Sequence, residues 1–483
     1  MNKKTNLILS LLLTYSVFGF SQNQVPIKLI TDSISVQLKK IDCKAITLQA
    51  IDIIGNKKTK SFVILGEMNL NLGDSIMISD INRRLQSCAE SIYNTNLFSE
   101  VSLTPILTSN HEFKISINVI EKWPIYPIPY FQLSDRNFNE WWSTYHGDLK
   151  RTIYGILFSD INFSGKADRL NVGLLNGFSR LISANYSTPL MKNQTMKSVS
   201  FGAEYSENKS FAYKTNENNK LVFYNNNLFV KKNLTFKSSY IVRRGLYSKQ
   251  SFGFQYNIIN IDDSAFVKNY SQPYLNDSAQ TVYFPDIIYQ YQFVKTNNNN
   301  YPTKGKVLTL RLLKRGLGLA GASNMFSLDA SLKSYFSHKN NFYSSFQFIT
   351  NIKLPFKQGY INQRALGYGE NYLRGMEYYV VDGVALGISK FTLSKKILSC
   401  RIPFPLKSKT VPYIPLTVFG KSYIDMGYVY SAENALTPLN DKFLYTGGIG
   451  IDFLSIYDMR FSLEFSFNQM KEKGLFLHSR SSL

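Results

Sequence analysis

The residue best suited to a specific polar contact is Arg374, which lies in the segment Ala365 to Val381 among glycines and tyrosines. A guanidinium is always charged, and it tolerates an enclosed space only when a carboxylate meets its fork of donors. Asp425 is the best candidate for that carboxylate, because in Leu416 to Gly427 polar and apolar residues alternate and Asp425 falls on the polar face. We therefore predict an internal ion pair between Arg374 and Asp425.

Residue patterns of catalytic and cofactor sites are absent or out of context. The run from Gly316 to Gly321 satisfies G-x-G-x-x-G, but an alternating strand from Asn324 follows it where a dinucleotide site needs a helix. There is no P-loop, no G-x-S-x-G and no H-E-x-x-H. The four histidines fall in separate predicted elements: His111, His146, His338 and His478. No catalytic residue, cofactor site or metal site is predicted, and we expect no enzymatic activity.

Neither the net charge nor the three cysteines indicate a specific chemistry. The formal net charge is +22, but Lys and Arg are scattered and no helix-turn-helix, zinc-finger or RNP pattern occurs, so nucleic acid is not an expected partner. An anionic lipopolysaccharide surface suits this charge better. Cys43, Cys88 and Cys400 are widely spaced, form no C-x-x-C and cannot all pair, so we interpret them as structural thiols.

The first 21 residues have the pattern of a secretory signal peptide. Lys3 and Lys4 precede an apolar run from Leu7 to Phe20, and cleavage is expected near Ser21. No cysteine stands at that point, which disfavours a lipoprotein anchor. No later segment offers the roughly 18 uninterrupted apolar residues of a membrane helix. A membrane-spanning mature chain would therefore have to be a closed β-barrel, which satisfies all backbone groups in lipid.

A small α+β domain is predicted over residues 45–122, after a polar, unpatterned linker at 22–44. Apolar spacing predicts a strand at 46–54, a helix at 59–68 and a second helix at 78–93. Two strands follow, at 101–106 and 112–120. The order is β-α-α-β-β, with turns at Gly55 and Gly73.

From Trp123 to the end, apolar and polar residues alternate with a period of two, as in Phe461 to Phe467. Apolar residues facing outward and polar residues inward are typical of a transmembrane barrel. We predict that residues 123–483 form such a barrel with about sixteen antiparallel strands, an even number as in bacterial barrels. The predicted strands are 125–132, 151–164, 168–178, 181–189, 196–207, 229–243, 248–260, 283–296, 305–315, 324–337, 341–354, 380–398, 413–430, 442–454, 458–468 and 473–482.

The lengths of the connections agree with an outer-membrane barrel. Those after even-numbered strands tend to be short, as at 165–168 and 455–457, although 297–304 and 399–412 are not tight. Several of the others are long, such as 208–228, 261–282 and 355–379. Short periplasmic turns with long outer loops are the outer-membrane arrangement, and they place Arg374 in the sixth outer loop.

These segments together resemble one protein family. The tetrapeptide Leu373-Arg374-Gly375-Met376 resembles the VRGF/Y signature of the BamA/TamA-type outer-membrane assembly superfamily, also called the bacterial surface antigen family. The segment Ile424 to Gly427 is similar to its F-x-D-x-G strand, with Asp425 and Gly427 at the matching positions. The domain at 45–122 resembles a POTRA domain, and the segment after Ile125 resembles Bacteroidota members. The matching POTRA positions are Gly55, Asn56, Thr59, Gly73 and Phe98.

The resemblance implies a location, partners and a function. It implies the outer membrane of a Gram-negative bacterium with the POTRA-like domain in the periplasm, and insertion or translocation of other proteins. Implied partners are outer-membrane lipid and lipopolysaccharide, unfolded outer-membrane or secreted client proteins, and periplasmic or lipoprotein accessory subunits. The alternatives are an accessory or structural barrel, a passive pore without insertase activity, and a two-partner secretion translocator.

This chain departs from the family at three points. The strand after the signature loop reads Lys390 to Lys396 without an acid, which puts a second carboxylate for the loop in doubt. The chain ends in Ser481 to Leu483, where a terminal aromatic residue is usual. One POTRA-like unit precedes the barrel, fewer than in the essential assembly factor.

Overall fold

The computed structural model describes residues 28–29, 45–93, 95, 97–109, 111–134, 138–143, 145–192, 195–245, 247–266, 280–298, 301–318, 324–403, 413–432, 437–454 and 460–480. The expected signal peptide, Cys43, the chain end at 481–483 and most of the expected linker lie outside these residues. Among the described residues, no helix is both long and apolar enough to cross a bilayer.

The N-terminal domain is a five-stranded sheet covered by two helices. Its strands are β1 (Lys28–Leu29), β2 (Ala45–Ile54), β3 (Ser75–Met77), β4 (Phe98–Leu107) and β5 (Glu112–Glu121), in the order β1-β4-β5-β2-β3. The helices are Ser61–Gly66 and Ile81–Tyr93, the second preceded by a 3-10 turn at Ile78–Asp80.

The spacing of apolar residues explains why this domain folds as it does. On the helix Ile81–Tyr93 the buried side chains recur at three- and four-residue intervals, and the sheet supplies their partners. The residues buried on this helix are Ile81, Leu85, Cys88, Ala89 and Ile92. The first helix is shorter than predicted, beginning at Ser61, and the second begins as a 3-10 turn.

Two strands of this domain were not predicted, and one corrects the interpretation of the linker. Lys28–Leu29 pairs in parallel with Ser102 and Leu103 of β4, so the segment 22–44 contributes a strand and is not wholly an unstructured linker. β3, only three residues long, pairs with β2. Both strands are too short to leave a periodic pattern in the sequence.

The remainder of the chain forms a sixteen-stranded antiparallel sheet, which confirms the predicted fold class. The strands in chain order are β6 (Ile125–Leu133), β7 (Thr152–Asp160), β8 (Arg169–Gly177), β9 (Ser179–Lys192), β10 (Thr195–Asn208), β11 (Ser210–Thr215), β12 (Leu221–Asn225), β13 (Lys231–Arg244), β14 (Ser248–Ile261), β15 (Thr281–Thr296), β16 (Gly305–Arg315), β17 (Met325–Ser337), β18 (Phe342–Leu354), β19 (Arg364–Leu366), β20 (Val381–Asp382), β21 (Ala385–Pro403), β22 (Tyr413–Tyr430), β23 (Phe443–Leu454), β24 (Arg460–Asn468) and β25 (Lys473–Arg480).

Two pairs of these strands lie outside the barrel wall. β11 with β12 forms a hairpin between β10 and β13, and β19 with β20 forms a short ladder between β18 and β21. The other sixteen strands form the wall, and consecutive wall strands pair with each other, so that β10 pairs with β9 and with β13. Every predicted wall strand corresponds to one of them. The largest shift is in β21, which runs from residue 385 to 403 where 380–398 was predicted.

The connections carry a few short helices. There are α-helices at Phe138–Ser143 and Asp263–Phe266, and 3-10 turns at Leu149–Arg151, Lys339–Asn341 and Tyr360–Asn362.

Side-chain exposure shows that the barrel is apolar outside and polar inside. Phe465 and Phe467 of β24 are exposed, while Ser462, Glu464 and Ser466 of the same strand are almost fully buried. The same alternation occurs in β22, where Ile424 and Met426 are exposed and Asp425 is buried. A continuous apolar outer face is the surface that contacts lipid in transmembrane barrels.

The sheet has two ends, and they are the first and last wall strands. The order runs from β25 to β6, and no ladder between β6 and β25 occurs in the described residues. The line between β6 and β25 is called the seam below. At one end of β6 the Ser134 N–H donates to the Arg151 carbonyl at 2.9 Å, and at the other the Ile161 N–H donates to the Pro124 carbonyl at 3.0 Å. Because backbone directions alternate along a strand, even-numbered residues of β6 bond to β7 and odd-numbered ones face the seam.

The backbone groups at the seam follow from that alternation. Pro127 and Pro129 are odd-numbered, so their nitrogens, which carry no hydrogen, face the seam. In β25, the Asn468 N–H donates to the Glu472 carbonyl at 3.1 Å, so even-numbered residues bond to β24. The backbone groups of residues 473, 475, 477 and 479 then face the seam, and none of these residues is a proline. The two edges are therefore unequal, since β6 lacks two donors.

The N-terminal domain contacts the barrel at the connection 161–168, between β7 and β8. The Lys60 N–H donates to the Gly165 carbonyl at 2.8 Å, and the Asn162 amide donates to the Thr59 hydroxyl at 2.9 Å. The Lys58 ammonium pairs with Asp160 at 3.2 Å. We call this set of contacts the junction. It fixes the N-terminal domain against one end of the barrel wall.

Candidate functional site

The connection at residues 355–384, called loop 6 below, packs against the inner face of the barrel wall. Its residues Leu373 and Met376 are fully buried in an apolar cluster with side chains from the neighbouring wall strands. Those wall residues include Ile349 of β18, Leu386 and Ile388 of β21, Val429 of β22 and Leu444 of β23. A loop with this much apolar surface is held inside the barrel because the alternative exposes that surface to water.

Arg374 and Asp425 meet inside the barrel. The Arg374 Nε donates to Asp425 Oδ2 at 2.9 Å and Nη2 donates to Oδ1 at 2.5 Å, which is the two-pronged fork geometry. The Arg374 backbone N–H donates to Oδ2 as well, at 3.0 Å. Asp425 has no exposed surface and Arg374 is 9% exposed. The guanidinium also lies 3.9 Å from the centroid of the Tyr423 ring, a cation–π contact.

Two glycines permit this close approach. Gly375 has a φ of 91°, and a Cβ there would lie 2.7 Å from the Cβ of Ser466. On the wall, a Cβ at Gly427 would lie 3.3 Å from the side chain of Leu373. A larger residue at Gly375 would be strained and would push the loop away from the wall, whereas one at Gly427 would press on the side chain of Leu373.

A second charged group lies beside the first. The Lys421 ammonium is 2.5 Å from both Asp452 Oδ1 and Glu464 Oε1, so one cation is shared by two carboxylates from adjacent strands. Tyr423 lies between the two groups, and its hydroxyl is hydrogen-bonded to the Ser466 hydroxyl at 2.6 Å. All of these charges are buried, so each must be paired for the fold to tolerate it.

Further polar contacts hold loop 6 in place. The Val380 N–H donates to the Asn219 carbonyl at 2.8 Å, and the Asn219 amide donates back to the Val380 carbonyl at 3.0 Å. The Tyr379 hydroxyl donates to Glu472 at 2.7 Å, and the Asn468 amide donates to the Gly375 carbonyl at 3.1 Å. Loop 6 is thus tied to the β11–β12 connection and to the β24–β25 turn.

Sequence reasoning missed Glu472, Glu464 and Asn219, and it doubted that loop 6 meets a second carboxylate. Glu472 accepts from Tyr379 of loop 6, so the loop does meet another carboxylate, from the turn after β24 and not from β21. The parity of Glu464 with Ser462 and Ser466 places it on the inner face, and this was the available signal. Nothing local marks Asn219, because its partners come from two distant connections.

The predicted POTRA positions lie in the core of the N-terminal domain, in its turns and at the junction. Phe98 is fully buried in the domain core, and Gly55 and Gly73 occupy turns with positive φ. Asn56 donates to the Thr59 carbonyl at 3.0 Å, which shapes the approach to the first helix. Thr59 belongs to the junction through its hydroxyl, so it does more than fill a turn.

A carboxylate completes the junction from the N-terminal side. Glu121 accepts from the backbone N–H groups of Lys58 at 3.0 Å and of Thr59 at 2.6 Å. Partial burial acts to raise the pKa of this carboxyl, but the hydrogen bonds from Thr59 and Lys58 and the charge of Lys58 outweigh it, so the pKa lies below its ordinary value of 4.5.

Comparison with known proteins gives the same architecture. A family model described as POTRA, surface antigen variable number repeat, matches residues 46–122. No curated protein sequence matches the chain. Among solved structures, BamA from Haemophilus ducreyi lacking POTRA domains 1–3 is 13% identical with a TM-score of 0.56, covering 90% of this chain and 84% of that one. CdiB from Escherichia coli is 14% identical with a TM-score of 0.51, covering 90% and 75%.

These comparisons show a POTRA domain at residues 46–122, and they show that the chain as a whole shares its fold with BamA and CdiB. The resemblance expected from the sequence therefore holds for the fold.

Proposed function

We propose that this protein assembles other proteins into the outer membrane, or moves them across it, by pairing client strands with the seam. The observation that supports this most directly is the unequal pair of edges, β6 and β25. A sheet edge that has no neighbouring strand binds extended segments of other chains. The prolines at 127 and 129 remove two donors from β6, so closure of the seam is weak and an incoming strand competes well for β25.

The POTRA sheet supplies an earlier contact for an extended client segment. Its outer strand β4 already pairs with a short segment of this chain, β1, over only two residues. That pairing indicates that the β4 edge accepts an extended strand in parallel register. A client segment that displaces β1 would gain backbone hydrogen bonds along more of β4.

Loop 6 has a structural role in this proposal. The Arg374–Asp425 pair fixes the loop against β22, and its apolar residues contact the wall from β18 to β23. A buried ion pair adds little net stability but strongly penalises any geometry that separates its partners. The loop therefore holds the wall on the β25 side of the seam in register, and β6 is the edge that moves when the seam opens.

The proposed partners follow from the location and the charge. Unfolded outer-membrane or secreted proteins are the clients, lipid and lipopolysaccharide surround the wall, and periplasmic or lipoprotein subunits assist. The net charge of +22 favours contact with the anionic groups of lipopolysaccharide.

The test restores the missing donors at the seam. In Pro127→Val/Pro129→Val both seam-facing nitrogens regain hydrogens, which should strengthen closure and slow the folding of a client barrel in liposomes several-fold relative to wild type. Pro285→Val is the matched control, since Pro285 lies within β15, away from the seam. Heat-modifiable mobility in gels establishes that each variant is folded.

The same liposomes separate the proposal from its alternatives. Faster client folding with wild type than with empty liposomes supports the proposal, and an unchanged rate in the seam variant would contradict the role of the prolines. Steady ion conductance without any client folding would identify a passive pore. Release of a secreted client into the lumen, without barrel insertion, would identify a translocator.

A further inference from the structure

Three potential metal ligands from three elements converge inside the barrel. They are Glu377 of loop 6, Glu464 of β24 and His478 of β25, and we call them the Glu–Glu–His cluster. The His478 Nε2 lies 3.2 Å from Glu377 Oε1 and 3.3 Å from Glu464 Oε2. One donor atom from each residue lies within 4.8 Å of the other two. None of these residues takes part in the Arg374–Asp425 pair.

Hydrogen bonding within the cluster is incomplete. A neutral imidazole carries at most one hydrogen on Nε2, and the contact with Glu377 Oε1 uses that position. Glu464 is 3% exposed, and its Oε2 has no hydrogen-bond partner among the described residues. A buried carboxylate oxygen without a donor is costly, and each such atom in a native protein calls for an explanation.

The surroundings hold the donor atoms in place. Glu464 Oε1 is fixed by Lys421 at 2.5 Å, which turns Oε2 toward His478. Glu377 Oε2 accepts from the Gly375 N–H at 2.8 Å, which leaves Oε1 facing the imidazole. The His478 ring stacks on Tyr372, with centroids 5.7 Å apart and planes 24° apart. Supporting contacts of this kind orient the ligands of protein metal sites.

We propose that the Glu–Glu–His cluster binds a first-row divalent transition-metal ion, with Zn²⁺ as the reference case. Such an ion forms bonds of about 2 Å to imidazole nitrogen and carboxylate oxygen, which holds neighbouring donors roughly 3 to 3.5 Å apart. The two measured separations fall in that interval. The ion would contact Glu464 Oε2, Glu377 Oε1 and a deprotonated His478 Nε2, and water would complete its coordination.

The nitrogen ligand decides the class of ion. Mg²⁺ and Ca²⁺ prefer shells made only of oxygen, whereas imidazole with carboxylates suits Zn²⁺, Mn²⁺ and Fe²⁺. This result differs from the expectation drawn from sequence, in which the four histidines lay in separate elements and no metal site was predicted. His478 remains the only histidine in the cluster, and two glutamates supply the other ligands.

The site joins three parts of the molecule. Glu377 is three residues after Arg374, and His478 lies on the last wall strand, β25, which forms one edge of the seam. A bound ion would connect loop 6 to that edge and leave β6 as the edge that moves. The inference concerns metal binding alone and stands whether or not the protein assembles clients.

The experiment measures Zn²⁺ binding to the full-length mature protein in detergent, purified without a histidine tag. We expect one Zn²⁺ per chain by calorimetry, with Mg²⁺ giving no heat of binding at the same concentration. His478→Ala and Glu377→Gln should each weaken Zn²⁺ binding at least about tenfold, since each removes a ligand. Co²⁺ is a second probe, because its visible absorption reports nitrogen and oxygen ligands directly.

Matched controls separate the cluster from incidental binding. His338→Ala removes a histidine from the turn between β17 and β18, and Glu90→Gln removes an exposed carboxylate from the helix Ile81–Tyr93 of the POTRA domain. Both should bind Zn²⁺ like wild type. Binding that survives in His478→Ala and Glu377→Gln would overturn the proposal. No stoichiometric binding to wild type would also overturn it.

Discussion

At the scale of single residues, the opposite charges of Arg374 and Asp425 fix the position of loop 6 in the barrel. Three donors of Arg374, two from the guanidinium and one from the backbone, converge on one carboxylate. Removal of either partner leaves the other buried without its counter-charge, which costs about 3 to 5 kcal/mol in soluble proteins. The pair therefore restricts loop 6 to one position.

Arg374→Ala and Asp425→Ala should each reduce the yield of folded barrel or the rate of client assembly while the POTRA domain stays folded. The physical reason is the unpaired charge that remains in the lumen. Gel heat-modifiability measures the barrel and limited proteolysis measures the POTRA domain.

Lys357→Ala is the control for this comparison, because Lys357 is an exposed cation in the same loop. It should fold and assemble clients like wild type. If the two alanine variants also fold, resist proteolysis and assemble clients like wild type, the pair does not lock the loop.

At the scale of elements, the junction determines how the POTRA domain meets the barrel. Glu121 stabilises the junction by accepting hydrogen bonds from the backbone N–H groups of residues 58 and 59. Residues 59 and 60 in turn contact Asn162 and Gly165. Because the pKa of Glu121 is lowered in the folded protein, its contribution is fully present above the ordinary glutamate pKa of 4.5. That contribution is lost as the pH falls through the lowered value.

We expect Glu121→Gln to lower the thermal unfolding midpoint of the POTRA domain at pH 7, by on the order of 1 kcal/mol in stability. Below pH 4.5 the difference from wild type should shrink, since wild type then loses the same interaction. Calorimetry of the full chain in detergent provides the measurement. Glu90→Gln, an exposed carboxylate on the helix Ile81–Tyr93, should show neither effect. A difference that stays constant from pH 7 to pH 3 would contradict this role.

The elements differ in how far they could be predicted. All sixteen wall strands were predicted because the alternation that defines each one is local, as in Phe461 to Phe467. The Arg374–Asp425 contact followed from the parity of Asp425 and from the family resemblance. The Glu–Glu–His cluster was missed, because its members meet only after loop 6 folds inward and β24 and β25 take their register. β1 and β3 were missed because two or three residues carry no period.

At the scale of the whole molecule, the contacts of loop 6 lie on one side of the seam and the junction with the POTRA domain lies on the other. Loop 6 and its charged contacts secure the wall around β22 to β24. The seam lies between β25 and β6, and the POTRA domain is attached to the wall just beyond β7. Under the proposed function, a client passes from the POTRA domain to the neighbouring seam, where no ladder joins the described strands β6 and β25.

The most direct test of this account is photocrosslinking at the seam during client assembly. Benzoylphenylalanine would replace Phe131 of β6 or Leu475 of β25, with Phe201 of β10 as the control; all three side chains are exposed on the barrel, and only Phe201 is far from the seam. The account predicts client adducts at Phe131 or Leu475 and none at Phe201. Equal adducts at all three positions, or none at the two seam positions while clients fold, would contradict it.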